Sequence, residues 1–461
     1  MKNDLIIILP MILPTLAGMA IIILGVFGGR RLAPWTALAS VGGSAVSMFF
    51  VWRDYQYPFG SLLWTGPLAM QAGFAVTAAA AAAILMSVDY VRREKLPESE
   101  YYALMLLSMV GMLLLLTAMP NLLMLFLSVE MASLPLYVMA GMARRRTKSL
   151  EAAMKFFLLG SFASAILLYG AALVYGGSGS LNYAGIQAQT ETMPSLSVVI
   201  GVGFIAVGLL FKVSLVPFQM WTPDVYEGAP SPVSAFMSVG TKIAAFFALM
   251  WLLAGWFWVP VVWSLSALTM VVGNIAAVAQ KNIKRMLAYS SIAHAGYISV
   301  TIASFRSEMS MRAMVFYFIA YAFSNLGAWA VVAAVAKEGE KGTEISDYAG
   351  LFKTNPFLAA AMGLFMFSLA GIPPTAGFTA KLMVFFAALD AQMLSLAIIV
   401  VITTIISAYY YLRVTAEMFM VRTDEPNEVK VSLPTAAAIA LCAAAVAVLF
   451  LIPGWATIWV R

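Results

Sequence analysis

Five ionisable side chains stand in stretches that are otherwise apolar or small. Glu130 lies in LLMLFLSVEMASLPLYVMAG, Lys212 in GLLFKVSLVPF and Lys242 in SAFMSVGTKIAAF. His294 lies in MLAYSSIAHAGYISV and Lys381 in AGIPPTAGFTAKLMVF. The chemistry these types share is proton transfer. Burial disfavours the charged form of a lysine, and a nearby carboxylate restores it. A buried lysine with a movable acid can therefore exchange protons near neutral pH, and Glu130 with Lys212 is such a pair in principle. His294 is the only histidine in the chain, and an imidazole with an unperturbed pKa near 6.5 suits a relay between Lys242 and Lys381. The competing readings are a static interhelical ion pair for each lysine and a plain interhelical hydrogen bond for His294. The one cysteine, Cys442, excludes a disulfide framework and a thiolate metal cluster.

These residues need elements that hold them away from water. Of 461 residues, 62% are hydrophobic and 10% charged, against about 25% charged in an ordinary soluble domain. Mean hydropathy is +0.92. Lipid must be the solvent for most of this surface, and a crossing helix needs about 20 apolar residues. Fourteen such spans are predicted, near 4–28, 32–52, 66–90, 102–119, 121–143, 150–176, 196–222, 230–254, 257–279, 285–305, 311–336, 355–389, 391–420 and 432–452. The first is read as a retained helix, since no small-residue cleavage site follows it. The loop 177–195 is rich in Gly, Ser and Asn and is expected to hold a short hairpin.

Depth singles out the five residues. With Pro232 in the first turn of the eighth span, Lys242 lies about 16 Å in, at the bilayer midplane. Glu130 is about 15 Å into the fifth. Lys212 precedes Pro217, where the seventh span is expected to break, and Lys381 follows the break at GIPPTAG in the twelfth. Broken helices at membrane depth line polar cavities or are buried in protein, and paired breaks mark transporter-type architecture. The two breaks are five spans apart, which is the arithmetic of an inverted repeat. The expected fold is an all-α integral membrane bundle with N-terminal helices at 1–101, one five-helix unit at 102–254, a second, inverted unit at 255–420, and a C-terminal helix at 421–461. Ser214, Ser238 and Thr241 are the hydroxyls expected to hold water.

Loop cations set the orientation. Arg30, Arg31, Arg92, Arg93, Lys95, Arg144, Arg145, Arg146, Lys148, Lys281, Lys284, Arg285, Lys337, Lys341, Lys353, Arg422 and Lys430 follow odd-numbered spans; Arg53, Arg306 and Arg312 are in the other loops. The odd loops are placed on the cytoplasmic side and both termini opposite. Lys155 and Arg413 read as snorkelling at helix ends, Asp89 and Tyr90 as a helix end, and Asp224 and Glu227 as a polar turn.

WTPDVYEGAPSPVSAFMSVGTKIAAF, NIKRMLAYSSIAHAGY and SLAGIPPTAGFTAKLMVF, in that order, resemble the antiporter-like membrane subunits of the proton-translocating NADH–quinone oxidoreductases, over essentially the whole chain. Lys381 in the twelfth span, PDVYEGAPSPV and the stop after span fourteen resemble the N-type branch rather than the L or M types. The resemblance implies that Glu130 and Lys212 are the acid and lysine of the fifth and seventh spans, Lys242 and Lys381 the central and terminal lysines, and His294 the histidine between them. It implies proton translocation coupled to electron transfer in other subunits of a plasma-membrane enzyme complex. NAD, FMN, iron–sulfur clusters and quinone would sit in those subunits, with no cofactor or metal in this one. M-, K- and J-type subunits and lipid would be its neighbours, with no nucleic acid. The rival readings are an Mrp-type cation/proton antiporter subunit, a membrane subunit of a hydrogenase- or F420-linked complex, and a purely structural scaffold.

Overall fold

The computed structural model describes residues 2–190, 195–253, 258–305, 307–421 and 429–454. Arg306, Arg422 and Arg461 lie outside them. The helices that matter are α1 (Leu9–Val26), α2 (Ala33–Val51), α3 (Pro67–Arg93), α4 (Glu98–Thr117), α5 (Leu122–Ala140), α6 (Thr147–Ser178), α7 (Leu196–Val213) and α8 (Trp221–Gly228). There follow α9 (Ser231–Leu253), α10 (Val259–Val278), α11 (Ile283–Ala303), α12 (Glu308–Val335), α13 (Pro356–Ala370), α14 (Ala376–Asp390), α15 (Leu394–Met420) and α16 (Leu433–Leu451). Among the described residues twelve helices are long and apolar enough to cross a membrane. The more polar α11 and the pair α13 and α14 lie among them in chain order.

Position in the bundle follows from composition. A helix that is apolar all round is either buried in protein or faces lipid. The apolar windows of α9 and α12 are 83% buried, and those of α1, α2 and α16 only 33%. The first two form the centre and the last three the rim.

Both expected breaks are present. α7 ends where Ser214 takes a left-handed conformation, φ 63°, and its N–H turns back to the Leu210 and Phe211 carbonyls. Pro217 lies in the connection to α8, so the helix stops earlier than its proline alone dictates. α13 ends at Gly371, φ 83°, whose N–H returns to Phe367 and Ser368. Glycine is required there twice over: the backbone is left-handed, and an added Cβ would stand 2.8 Å from Lys381 Cδ.

Three expectations need correction. In place of a hairpin, the 177–195 loop carries a helix, Tyr183–Thr190, because YAGIQAQT, after Asn182, holds the good helix formers Ala184, Gln187, Ala188 and Gln189. Leu122 N–H donates to Leu181 O, and Asn121 Nδ2 to Asn182 Oδ1, which ties this loop to the head of α5. Asp224 and Glu227 are on a short helix, α8, rather than in a turn, and their partners come from other elements. Arg146 and Lys284 do more than fix orientation: they belong to a buried ion cluster around Glu340. That cluster gathers the end of α3, the loop after α5, the head of α9, the head of α11 and the loop after α12 on one side of the bundle.

Candidate functional site

On α5, Glu130, Ser133 and Tyr137 are three, then four, residues apart and so share one stripe. The last turn of α7 brings Lys212 Nζ against that stripe. It donates to Ser133 Oγ at 2.8 Å and Tyr137 Oη at 2.9 Å. Tyr137 is held edge-on by Phe156, which stacks on Trp221 of α8. The Trp221 indole N–H then closes on the Phe211 carbonyl at 3.0 Å. Lys212 is buried; Glu130 is half-buried, and its Oε1 has no hydrogen-bond partner. The expected Glu130–Lys212 pair is therefore open in this structure. Leu123, Leu127, Leu134 and Val138, three or four residues apart around Glu130, are all exposed, so Glu130 borders an uncovered apolar face.

The second cluster lies at the centre. A single π turn, Met237–Thr241, precedes Lys242 on α9, a distortion frequent at functional sites. Lys242 is 1% exposed, and its ammonium donates to the Ser291 carbonyl of α11 at 2.6 Å. The Ser291 hydroxyl accepts from Tyr321 at 2.9 Å. One turn along α11, His294 Nδ1 meets Tyr317 Oη at 2.7 Å and Nε2 meets Tyr411 Oη at 3.1 Å. The Tyr321 ring lies 4.9 Å from the imidazole, and Tyr411 contacts Ser290 Oγ at 2.5 Å. A small cleft of about 10 Å³, lined by His294, Tyr317, Tyr321, Ser324, Ser368 and Ala380, lies between this cluster and α14.

Lys381 lies on α14, next to Ala380 of that lining. Its ammonium donates to Ala370 O at 2.9 Å and Ser407 Oγ at 3.3 Å, over the Tyr297 ring at 4.8 Å. Ala370 ends α13, where carbonyls lack intrahelical partners and the helix dipole favours a cation. Among the described residues no carboxylate lies within 4.0 Å of Lys212, Lys242 or Lys381. All three ammonium groups are held by neutral oxygens, unlike a static ion pair. Hydroxyls and imidazole both donate and accept, so the arrangement can pass a proton by rotation of O–H groups and exchange at the ring.

The sequence pointed to the charged groups and missed the neutral ones. Ser133, Tyr137, Ser291, Tyr317, Tyr321, Ser407 and Tyr411 hold them in place. A signal was available, since tyrosine belongs at membrane interfaces whereas Tyr317 and Tyr321 lie in mid-helix, four residues apart. Of the hydroxyls expected to hold water, Ser238 donates to Ala235 O and accepts from Asn325, Thr241 donates to Met237 O, and Ser214 accepts from Thr222.

Outside the spans, Asp224 binds Lys155 and Arg285, each at 2.7 Å, and Glu227 binds Lys148 at 2.7 Å and Arg285 at 3.0 Å. Burial works to raise both carboxyls; these cations overcome it and hold them below the usual carboxylate range. Arg413 donates to Gln280 O. Among the described residues no group of three His, Cys, Asp or Glu could hold a metal ion.

A family model described as NADH:quinone oxidoreductase/Mrp antiporter, TM, matches residues 119–407. A protein of Trichlorobacter lovleyi named NADH-quinone oxidoreductase subunit N is 41% identical over 461 residues, 97% of this chain and 93% of its own. One of Chloroflexus aggregans with the same name is 42% identical over 412 residues, 87% and 84% of the two chains. A chain of the respiratory complex I from Thermus thermophilus with bound aureothin superimposes with TM-score 0.84 at 32% identity, covering 96% of this chain and 97% of that one. A chain of the Mrp complex from Dietzia sp. superimposes with TM-score 0.87 at 20% identity, covering 100% and 98%, a likeness of fold alone. Helix order, breaks and buried lysines define an antiporter-like, multi-pass membrane subunit. The chain belongs to the subunit N family of the NADH–quinone oxidoreductases, and so to the membrane part of respiratory complex I.

Proposed function

We propose that this chain translocates protons in the membrane arm of an NADH–quinone oxidoreductase, through Glu130, Lys212, Lys242, His294 and Lys381. One observation carries the reading: Lys242 and Lys381 are buried on either side of the His294–tyrosine cluster and held only by neutral oxygens. Electron transfer elsewhere shifts the charge near Glu130. The proton on Lys212 becomes less favourable and passes toward Lys242, then by His294 and water toward Lys381. Each charge moved against the membrane potential costs about 2.3 kcal/mol per 100 mV. A change of one pKa unit is worth about 1.4 kcal/mol, so shifts of two to three units per site suffice.

The chain then crosses the plasma membrane fourteen times, with inverted units at 102–254 and 255–420 and both termini on the non-cytoplasmic side. The uncovered leucine face around Glu130 suits a neighbouring membrane subunit of K type, with J- and M-type subunits beyond. Flavin, iron–sulfur clusters, NAD and quinone act in other subunits. The test is NADH-driven proton uptake by the assembled complex in liposomes carrying Lys381→Met. A lowered proton yield per NADH, the same with or without sodium, supports the reading. An unchanged yield overturns it, and a yield that requires sodium favours cation/proton exchange of the Mrp type.

A further inference from the structure

Glu340 lies in KEGEKGTEISDYAG, which reads as a solvated loop, yet it is 6% exposed. Its backbone is left-handed at φ 55°, a conformation uncommon outside glycine. Its carboxylate accepts from the Ser231 N–H and Ser231 Oγ, each at 2.7 Å, and from Tyr90 Oη. It pairs with Lys284 Nζ and stands 3.8 Å from Arg146. Burial would raise this carboxyl; Lys284 and Arg146 keep it below its ordinary range. Lys284 Nζ also donates to Ala229 O at 2.7 Å. One acid thus joins the first residues of α9, which carries Lys242, to those of α11, which carries Ser291 and His294.

We infer that Glu340 is a positioning residue for proton transfer: by pinning the heads of α9 and α11 together, it sets the register in which the Lys242 ammonium meets the Ser291 carbonyl. The inference rests on the proton-translocation reading above. The two helices start on the same side and run parallel. Lys242 lies roughly 16 Å beyond Ser231, and Ser291 roughly 12 Å beyond Ile283, at 1.5 Å per residue. Side chains lean toward a helix N-terminus while carbonyls point the other way. A lysine set deeper by that difference on one helix therefore meets a carbonyl set shallower on its neighbour. A slide of α9 by one residue would separate them. The Ser231 N–H is one of the donors a helix start leaves unpaired, and a carboxylate there also suits the dipole. An apolar plug of equal volume would hold these elements about as firmly, but it has no directional bonds to fix their register.

The test uses the assembled complex in liposomes, with NADH oxidation and proton uptake followed together and Lys242→Ala as reference. Misplacement by about 1 Å can cost a hundredfold in rate, and Glu340→Gln is expected to lower protons moved per NADH to the level of the Lys242→Ala reference while assembled complexes still oxidise NADH. The Glu340→Leu, Lys284→Met double variant removes both charges and is expected to assemble, with the yield per NADH still low. It decides the matter if Glu340→Gln does not assemble. A wild-type yield per NADH in the double variant, or in Glu340→Gln with only the amount of complex reduced, means a merely structural pair and overturns the inference. If Lys242→Ala itself pumps at the wild-type yield, the functional reading fails instead.

Discussion

Lys212 and Lys242 are both buried lysines without a carboxylate at hand, yet their settings are opposite. Lys212 belongs to the edge of the bundle. Its partners, Ser133 and Tyr137, sit on α5 in one stripe with half-buried Glu130, which borders an uncovered apolar face of the same helix. Lys242 belongs to the centre, between α9, α11 and α12, where backbone and hydroxyl oxygens of the same chain enclose it. A charge outside the chain acts on the first site at short range and on the second only through it, since interaction energy falls with distance. On the proposed function, the edge receives the input and the centre conducts.

His294→Ala should break the central site most severely. Removing a group that accepts and donates a proton costs on the order of a hundredfold in a proton-transfer step. Proton uptake per NADH in liposomes should fall by the share this subunit moves, while NADH oxidation with an uncoupler present is retained. Tyr317→Phe and Tyr411→Phe each delete one hydroxyl from the imidazole, and a lost hydrogen bond worth about 1 kcal/mol should slow uptake severalfold in stopped-flow measurements. Glu130→Gln keeps the shape of the edge site and removes its charge. It should reduce yield by about as much as one exposed charge pair is worth, up to about 1 kcal/mol or a few fold. Its effect should vanish in a Lys212→Met background, because the two act in series.

The smallest effect lies outside both sites. Asp224 and Glu227 sit below their ordinary range in the folded chain. Their contribution to stability is complete above the unfolded carboxylate pKa, about 4, and is lost as the pH falls through the folded values. Asp224→Asn should therefore destabilise the detergent-solubilised complex at pH 7, by about 0.5 kcal/mol for a partly exposed network, read as a lower thermal midpoint, and progressively less as the pH falls through the folded values. Proton yield should be unaffected.

The charged members of the site were legible because a lysine or glutamate in an apolar run is costly and marks itself. The breaks were legible from Pro217, Pro373, Pro374 and Gly371, though α7 stops sooner because Ser214 turns left-handed. Tyr317, Tyr321 and Tyr411 were not legible as a set. They come from two helices and converge on His294 only in three dimensions. Glu340 was hidden for the opposite reason: a run of charges and glycines reads as solvated loop, and nothing in its spacing says that one carboxylate turns inward. The partners of Asp224 and Glu227 were not legible either, because Lys148 and Lys155 come from α6 and Arg285 from α11.

The most direct test is Lys242→Ala in the assembled complex, with protons taken up per NADH oxidised read against the wild type in the same liposomes. A conducting centre predicts a yield lowered by the protons this subunit moves, with electron transfer to quinone retained. Equal yields from the two complexes would contradict it.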